Sequence, residues 1–270
     1  MRTLSLTTVL PLLLSLASAQ SSDGRPPFQN TTSIPKHYAL LLTPSVDPID
    51  IFGPLGVLTG LHMYYTNSTG RVTLSLLAPS LSHSTTNPPL PGLDFGADLV
   101  PTVTFDEYLS AHPSTGAGGA NASIPPIDVL LVPGGGGTRG NVSREIAFVE
   151  TIYPSLQHII SVCTGSTILA RAGVLDGRKA TTNKKAWAWA TGFGRGVEYV
   201  GKARWVRDGN VWTGSGVSAA IDTTYAFLAD VYGEEVSQWV ADASEYTRWT
   251  DASFDPFAER WNVSDVATPA

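Results

Sequence analysis

The chain has 270 residues, of which 43% are hydrophobic, and a formal net charge of -6 at pH 7. This length and composition are enough for one large domain with a substantial core. Because no cluster of Lys and Arg could follow a phosphate backbone, the sequence argues against a nucleic-acid partner.

The N-terminus has the pattern of a secretory signal peptide. One basic residue, Arg2, precedes an apolar stretch, and Ala17-Ser18-Ala19 supplies the small residues of a cleavage site. We therefore predict that residues 1–19 are removed. The apolar stretch is shorter than the roughly 20 residues that span a bilayer, so no membrane anchor is expected afterwards. The predicted location is extracellular, or the lumen of the secretory pathway.

Sequons and the cysteine count agree with that location. A single cysteine, Cys163, rules out an intrachain disulfide, and a lone thiol in an oxidising compartment indicates burial or a chemical role. Five Asn-x-Ser/Thr sequons mark candidate N-glycosylation sites, which are expected at the surface: Asn30, Asn67, Asn121, Asn141 and Asn262.

Apolar patterning predicts one domain over residues 36–250, after a flexible leader at 20–35 and before a C-terminal tail at 251–270. Residues 110–126 are rich in Gly, Ala, Ser and Pro and are predicted to form a surface insertion. Strands are predicted at 38–42, 71–78, 99–105, 127–132, 159–162, 180–182, 197–200, 204–206 and 211–213. Helices are predicted to start near Pro54 and to cover 141–156, 167–172, 186–191, 218–232 and 234–244.

Alternating short apolar strands and helices are typical of a mostly parallel sheet covered by helices on both faces. Ligands bind such sheets beyond the carboxyl ends of the strands.

Cys163 follows a predicted strand and precedes a predicted helix, with small residues around it. This is the pattern of a nucleophile elbow, in which the helix N-terminus favours the thiolate. We therefore predict a thiol pKa below about 8.5. The alternative is that Cys163 is a small buried hydrophobe.

Asp50 is the candidate acid. It precedes Phe52-Gly53-Pro54, where a carboxylate would be partly desolvated, and desolvation raises a carboxyl pKa and suits the group to proton transfer. The alternative is an N-cap of the following helix. Asp47 competes for the acid role but lies earlier in the loop and is expected to be solvated.

The glycine run 134–137 follows a predicted strand but lacks both a Walker motif and a dinucleotide fingerprint. Its glycines are predicted to allow close backbone approach, with N–H groups facing an oxyanion; a plain tight turn is the alternative. None of the five histidines is placed for a Cys–His arrangement. No His, Asp or Glu cluster has metal-ligand spacing, so no metal is expected.

Taken together, several motifs resemble the ThiJ/PfpI superfamily, which is class I glutamine-amidotransferase-like, and within it the isocyanide hydratase branch. They are Asp-Ile-Phe-Gly-Pro at 50–54, Val-Pro-Gly-Gly at 132–135, Ser-Val-Cys-Thr-Gly-Ser at 161–166, Ala-Gly-Val-Leu-Asp-Gly-Arg-Lys-Ala-Thr-Thr at 172–182 and Thr-Gly-Ser-Gly-Val-Ser-Ala-Ala-Ile-Asp at 213–222. The resemblance implies a flavodoxin-like three-layer α/β sandwich, a homodimer, and no metal or organic cofactor.

The resemblance also implies residue roles. Cys163 matches the family nucleophile, Asp50 the acid facing it, and Thr164 and Gly135 the backbone N–H donors. At Asn183, where many relatives have His, this chain departs from the pattern, which argues against protease or amidase chemistry of the Cys–His kind. The other candidate pocket residues are Gly134, Gly136, Gly216 and Ser218.

The implied activity is a hydro-lyase reaction in which an isocyanide and water give an N-substituted formamide, with a small electrophile as substrate. Two alternatives stay open. One is a glyoxalase or deglycase acting on small aldehydes. The other is a non-enzymatic, redox-responsive or binding protein whose elbow cysteine is oxidised.

Overall fold

The structure, a computed structural model, describes residues 24–29, 33–113 and 124–270. The predicted signal peptide, most of the predicted insertion, Asn30 and Asn121 lie outside these residues. The other three sequon asparagines, Asn67, Asn141 and Asn262, are exposed, as expected for surface positions. Among the described helices, none is both long and apolar enough to cross a membrane.

The strands are β1 (His37–Leu41), β2 (Thr73–Ala78), β3 (Ser84–Thr85), β4 (Asp98–Leu99), β5 (Val103–Thr104), β6 (Val129–Val132), β7 (His158–Val162), β8 (Lys179–Ala180), β9 (Glu198–Tyr199), β10 (Trp205–Asp208), β11 (Val211–Gly214) and β12 (Val266–Ala267). The α-helices are α1 (Pro48–Tyr64), α2 (Thr66–Thr69), α3 (Phe105–Ala111), α4 (Ser143–Ile152), α5 (Ser166–Arg171), α6 (Trp187–Ala190), α7 (Ala219–Tyr232), α8 (Glu234–Ala243) and α9 (Phe257–Arg260).

A seven-stranded sheet forms the middle layer, in the order β10-β11-β7-β6-β1-β2-β5. Every neighbouring pair in it is parallel except β10 and β11, which form a hairpin around Asp208-Gly209. The predicted mostly parallel sheet is therefore confirmed. Its central strands β1, β6 and β7 are mostly apolar and almost completely buried, as expected for parallel strands covered on both faces.

Helices cover both faces of the sheet and give the three layers. Successive side chains of a strand point to opposite faces, so Tyr38 and Leu40 of β1 pack in the core under α1, α7 and α8. Ala39 and Leu41 pack in the opposite core with side chains of α3, α4 and α5. This arrangement leaves the carboxyl ends of β6 and β7 open for a site.

Two of the differences from the predicted boundaries have a clear cause in helix capping. Helix α1 begins at Pro48 rather than near Pro54, because the Asp47 carboxyl caps it by accepting a hydrogen bond from the Ile49 amide at 3.0 Å. In place of the single strand predicted over 99–105, the structure has the last residue of β4, then β5, and then the first residue of α3. Helix α3 starts there because Thr104 and Glu107 form a capping box.

The two terminal segments pack on the domain. In the predicted flexible leader, the Phe28 ring lies 5.0 Å from those of Tyr65 and Tyr232. In the predicted C-terminal tail, β12 pairs antiparallel with β9, which itself pairs with β8. Both segments therefore contribute to the folded body, beyond the limits 36–250 expected from the sequence.

Candidate active site

Cys163 lies where β7 ends and a 3-10 turn leads into α5, the geometry of a nucleophile elbow. Its φ of 56° is in the left-handed region, where a non-glycine residue costs about 1–3 kcal/mol. The turn is tight because Gly165 has no Cβ: one built there would collide with the Val132 carbonyl oxygen. The thiol is 5% exposed and is thus presented at the carboxyl end of the sheet in a nearly closed environment.

Asp50 lies in the first turn of α1 and is not its N-cap, so the capping alternative is wrong. Its side chain is 1% exposed, and Oδ2 accepts a hydrogen bond from the Gly134 amide at 2.8 Å. Among the residues that the structure describes, none donates an N–H or O–H to Oδ1, and the carboxyl group hydrogen-bonds to the Cys163 thiol. Burial, aided by the charge of Asp47, raises the pKa of Asp50 to about 8. The carboxyl group is therefore protonated at neutral pH and can donate a proton to a substrate bound at the neighbouring thiol.

Two N–H donors favour the Cys163 thiolate. The Asn183 Nδ2 donates to Sγ over 3.1 Å, and the Thr164 backbone N–H also bonds to the thiol and lowers its pKa. The orientation of the Asn183 amide follows from its other contact, because its Oδ1 accepts a hydrogen bond from the Ala186 N–H at 2.9 Å. Asn183 therefore occupies the place expected of a histidine, as a fixed donor without basic character.

The predicted low thiol pKa is wrong. Burial is the largest cause and raises the pKa of Cys163 well above its ordinary value; the charge of Asp50 raises it further. The helix after the elbow has only six residues, so its N-terminus contributes too little to offset desolvation. Protonation of Asp50 removes the negative charge that opposes ionisation of the thiol, so the protonation states of the two groups depend on each other.

The glycine run 134–137 packs against both Asp50 and the elbow and hydrogen-bonds to each. The Gly135 N–H donates to the Thr164 hydroxyl at 3.1 Å, so the predicted role of Gly135 as a donor to the thiolate does not match this geometry. The Gly136 N–H likewise donates to the Ser45 carbonyl. Gly134 permits the close approach: a Cβ on it would lie 2.6 Å from the Thr164 nitrogen. The run thus ties Asp50 and the elbow together.

A cavity of about 240 Å³, which we call the thiol pocket, opens beside Asn183. Of the predicted pocket residues, Asn183, Gly216 and Ser218 line it, whereas Gly134 and Gly136 lie on the Asp50 side. Cys163 itself does not line the cavity; Asn183, which donates to the thiol, and Val217, which packs against the cluster of Val162, Cys163 and Ala220, lie between the two. Its lining residues are Asn183, Lys184, Lys185, Arg204, Ser215, Gly216, Val217, Ser218, Asp255, Phe257 and Trp261.

Sequence reasoning missed the buried charges behind this pocket. The Arg204 Nε donates to Asp222 Oδ2 at 2.7 Å, and the Ser215 hydroxyl donates to Asp255 Oδ2 at 2.5 Å. Burial lowers the pKa of Lys184 to about 8. Only Asp222 and Asp255, each a single charge among apolar and small residues, gave a signal in the sequence. Within the described residues, no group of three or more His, Cys, Asp or Glu side chains could hold a metal ion.

The site has a cysteine at a strained elbow of a mostly parallel α/β sheet, beside a buried carboxyl group. This arrangement defines the class of α/β proteins that carry a cysteine at the nucleophile elbow. The model of the DJ-1/PfpI family matches residues 96–230, and this chain belongs to that family. The resemblance to the ThiJ/PfpI superfamily and the expected flavodoxin-like fold are both confirmed.

Individual relatives differ in what they do. The isonitrile hydratase of Pseudomonas putida is 31% identical over 208 residues, which are 76% of each chain. The HTH-type transcriptional regulator GbdR of Pseudomonas aeruginosa is 30% identical over 149 residues, 54% of this chain and 39% of the regulator. A crystal structure of a ThiJ/PfpI family protein from Pseudomonas syringae superposes with a TM-score of 0.62 at 26% identity, covering 90% of this chain and 84% of that one.

Proposed function

We propose that the protein is a cofactor-free, cysteine-dependent hydro-lyase that converts an isocyanide and water into an N-substituted formamide. One observation carries the proposal: a buried carboxyl group that keeps its proton at neutral pH, Asp50, lies beside the elbow thiol of Cys163. An isocyanide carbon must receive both a nucleophile and a proton, and this pair supplies both. The isonitrile hydratase relative supports the same chemistry.

The proposed reaction has two stages. Cys163 first loses its proton to solvent. The thiolate, held by the N–H groups of Thr164 and Asn183, then attacks the terminal carbon while Asp50 gives its proton to that carbon. This forms a C–S bond and a thioimidate. The Asp50 carboxylate then takes a proton from water, which adds to the same carbon. The added hydroxyl passes its proton to the nitrogen, the C–S bond breaks as the carbonyl forms, and the formamide leaves with the thiolate and the Asp50 acid restored.

A second candidate is a binding or redox-responsive protein. The raised thiol pKa and near-complete burial of Cys163 support the binding role, since both lower the reactivity of a thiol, whereas an oxidisable sensor cysteine has a low pKa and is accessible. The regulator relative supports it as well. This candidate uses the same cysteine but needs no proton transfer from Asp50.

The test is turnover of p-nitrophenyl isocyanide and of methylglyoxal, measured in parallel on wild type and Cys163→Ala. The hydro-lyase proposal predicts formamide formation by wild type alone and no consumption of the aldehyde. Aldehyde consumption that depends on Cys163 would indicate a glyoxalase or deglycase. Oxidation of Cys163 by mild peroxide, without turnover of either compound, would indicate the redox-responsive protein.

We further propose that the protein is secreted as a glycosylated homodimer. The apolar N-terminal pattern and three exposed sequon asparagines support secretion. N-terminal sequencing of protein from the culture medium should begin at Gln20, and removal of N-glycans should lower the mass. Light scattering should give twice the mass of the processed chain, and a monomer would contradict the dimer.

A further inference from the structure

One side of the thiol pocket is built by residues 251–270, which we call the C-terminal segment. It contributes Asp255, Phe257 and Trp261 to the pocket lining. The segment follows the part of the chain that matches the family, which ends at residue 230. The thiol and its hydrogen-bond partners lie in α1 and between residues 134 and 183, so the C-terminal segment adds side chains from a distant part of the sequence.

Asp255 fixes the start of the segment. Its side chain is 2% exposed; Oδ2 accepts from the Ser215 hydroxyl at 2.5 Å and Oδ1 accepts from the Phe257 backbone N–H at 3.1 Å. The cations of Arg204 and Lys184 lie 3.8 and 4.0 Å from its oxygens. A carboxylate satisfied in this way holds α9, which begins at Phe257, in a fixed position against the pocket.

Backbone contacts hold the rest of the segment. The Gly201 N–H donates to the Asp265 carboxylate at 2.7 Å, and the Gly196 N–H donates to the Pro269 carbonyl at 2.7 Å. Between them, β12 pairs with β9. The segment is therefore bound to the domain along its length, and the side chains that it presents to the pocket are held in place in advance of any ligand.

The side chains that it presents are aromatic. Phe257 and Trp261 are each 45% exposed, and both line the pocket. The buried cation of Lys184 is engaged elsewhere, donating to Thr181 Oγ1 and to the Ala203 carbonyl at 2.7 Å. The volume of about 240 Å³ exceeds the roughly 150 Å³ of a cavity that takes up benzene. A ring-sized apolar group fits this space and would cover both aromatic surfaces.

We propose that Phe257 and Trp261 determine specificity, by selecting electrophiles whose reactive group carries an aromatic substituent. This rests on the proposed function for one point only, that the electrophile is an isocyanide. The substrate class is then an aryl or arylalkyl isocyanide, with its reactive carbon at Cys163 and its ring against the C-terminal segment.

The test measures selectivity at the thiol without needing turnover. Cys163 is alkylated with iodoacetamide and with N-benzyl iodoacetamide; in each case an S–C bond forms and iodide leaves. Wild type should react faster with the benzyl reagent, by about 3- to 10-fold, the size of one good aromatic contact. Phe257→Ala and Trp261→Ala should lose most of that preference, while Trp261→Phe should keep part of it.

Phe254→Ala is the matched control. Phe254 is on the same segment and is 43% exposed, but its ring stacks on Trp249 instead of lining the pocket. It should keep the full preference, and all variants should melt near the wild-type temperature. Equal rates for both reagents in wild type, or an unchanged preference in Phe257→Ala and Trp261→Ala, would overturn the proposal. If no isocyanide is turned over but the alkylation preference behaves as described, the selectivity stands and the hydro-lyase function fails.

Discussion

Replacing Asp50 by Asn should stabilise the protein while removing most of its activity. The pKa of Asp50 is about 8 in the folded protein and has the ordinary value of 3.8 when the chain unfolds. Between these two values the folded state holds a proton that the unfolded state has released, so stability falls as pH rises. Each pH unit costs about 1.4 kcal/mol, and the buried carboxyl therefore destabilises the fold by about 4 kcal/mol at pH 7.

Asparagine avoids this cost because its amide does not ionise. It is the same size as aspartic acid, and its oxygen can still accept the hydrogen bond that the Gly134 amide gives to Oδ2. The gain in stability should be close to zero at pH 4 and should approach about 4 kcal/mol at pH 7. Turnover should fall by about 10²- to 10⁴-fold, since the amide cannot donate and recover a proton.

Urea unfolding at pH 4 and pH 7, with turnover measured on the same preparations, tests both expectations. Asp47→Asn is the control, because Asp47 is the N-cap of α1 and asparagine caps a helix about as well. The control should change stability little and the rate only slightly, because removing the Asp47 charge lowers the pKa of Asp50 but leaves its carboxyl group in place. An Asp50→Asn protein whose stability relative to wild type is the same at both pH values, or one that keeps wild-type turnover, would refute the reasoning.

Three further predictions concern the thiol. Cys163→Ser should fold normally and lose essentially all turnover, because the described part of the site places no histidine to activate a serine hydroxyl; assays and melting curves of the variant check this. The pH profile of iodoacetamide alkylation should have its midpoint above the free-thiol value of about 8.5, and Asp50→Asn should move it down by removing the opposing charge. Asn183→Leu should slow alkylation at pH 8 by about tenfold, because the thiolate loses a hydrogen bond worth about 1.5 kcal/mol; an unchanged rate would show that Asn183 does not stabilise the anion.

Much of the fold could be predicted from apolar patterning. The strands β1, β6 and β7 are short apolar runs, and α4, α7 and α8 have helical spacing, so both the alternation and the parallel sheet follow from local sequence. The elbow could also be found, because Cys163 lies between one such strand and a helix. The start of α1 was misplaced because Pro54 was treated as a helix start, whereas Asp47 provides the cap.

The parts of the site that were missed depend on contacts between distant segments. The C-terminal segment has little apolar patterning and is held by the Asp255 carboxylate and by strands of two residues, which no local pattern reveals. The thiol pKa was misjudged for a related reason. The direction in which this pKa shifts depends on burial and on Asp50, which is distant in sequence from Cys163. Burial of a single side chain cannot be obtained from its immediate neighbours in sequence.

The most direct test of the account is to trap the covalent intermediate. Wild type and Asp50→Asn would be mixed with p-nitrophenyl isocyanide, quenched in acid, digested and analysed by mass spectrometry. We expect an adduct on the Cys163 peptide with the added mass of one whole isocyanide, as for a thioimidate. The amount of this adduct should differ between wild type and Asp50→Asn, because Asp50 takes part in both its formation and its hydrolysis. Continued formamide production by Cys163→Ala, with no adduct on Cys163 in wild type, would contradict it.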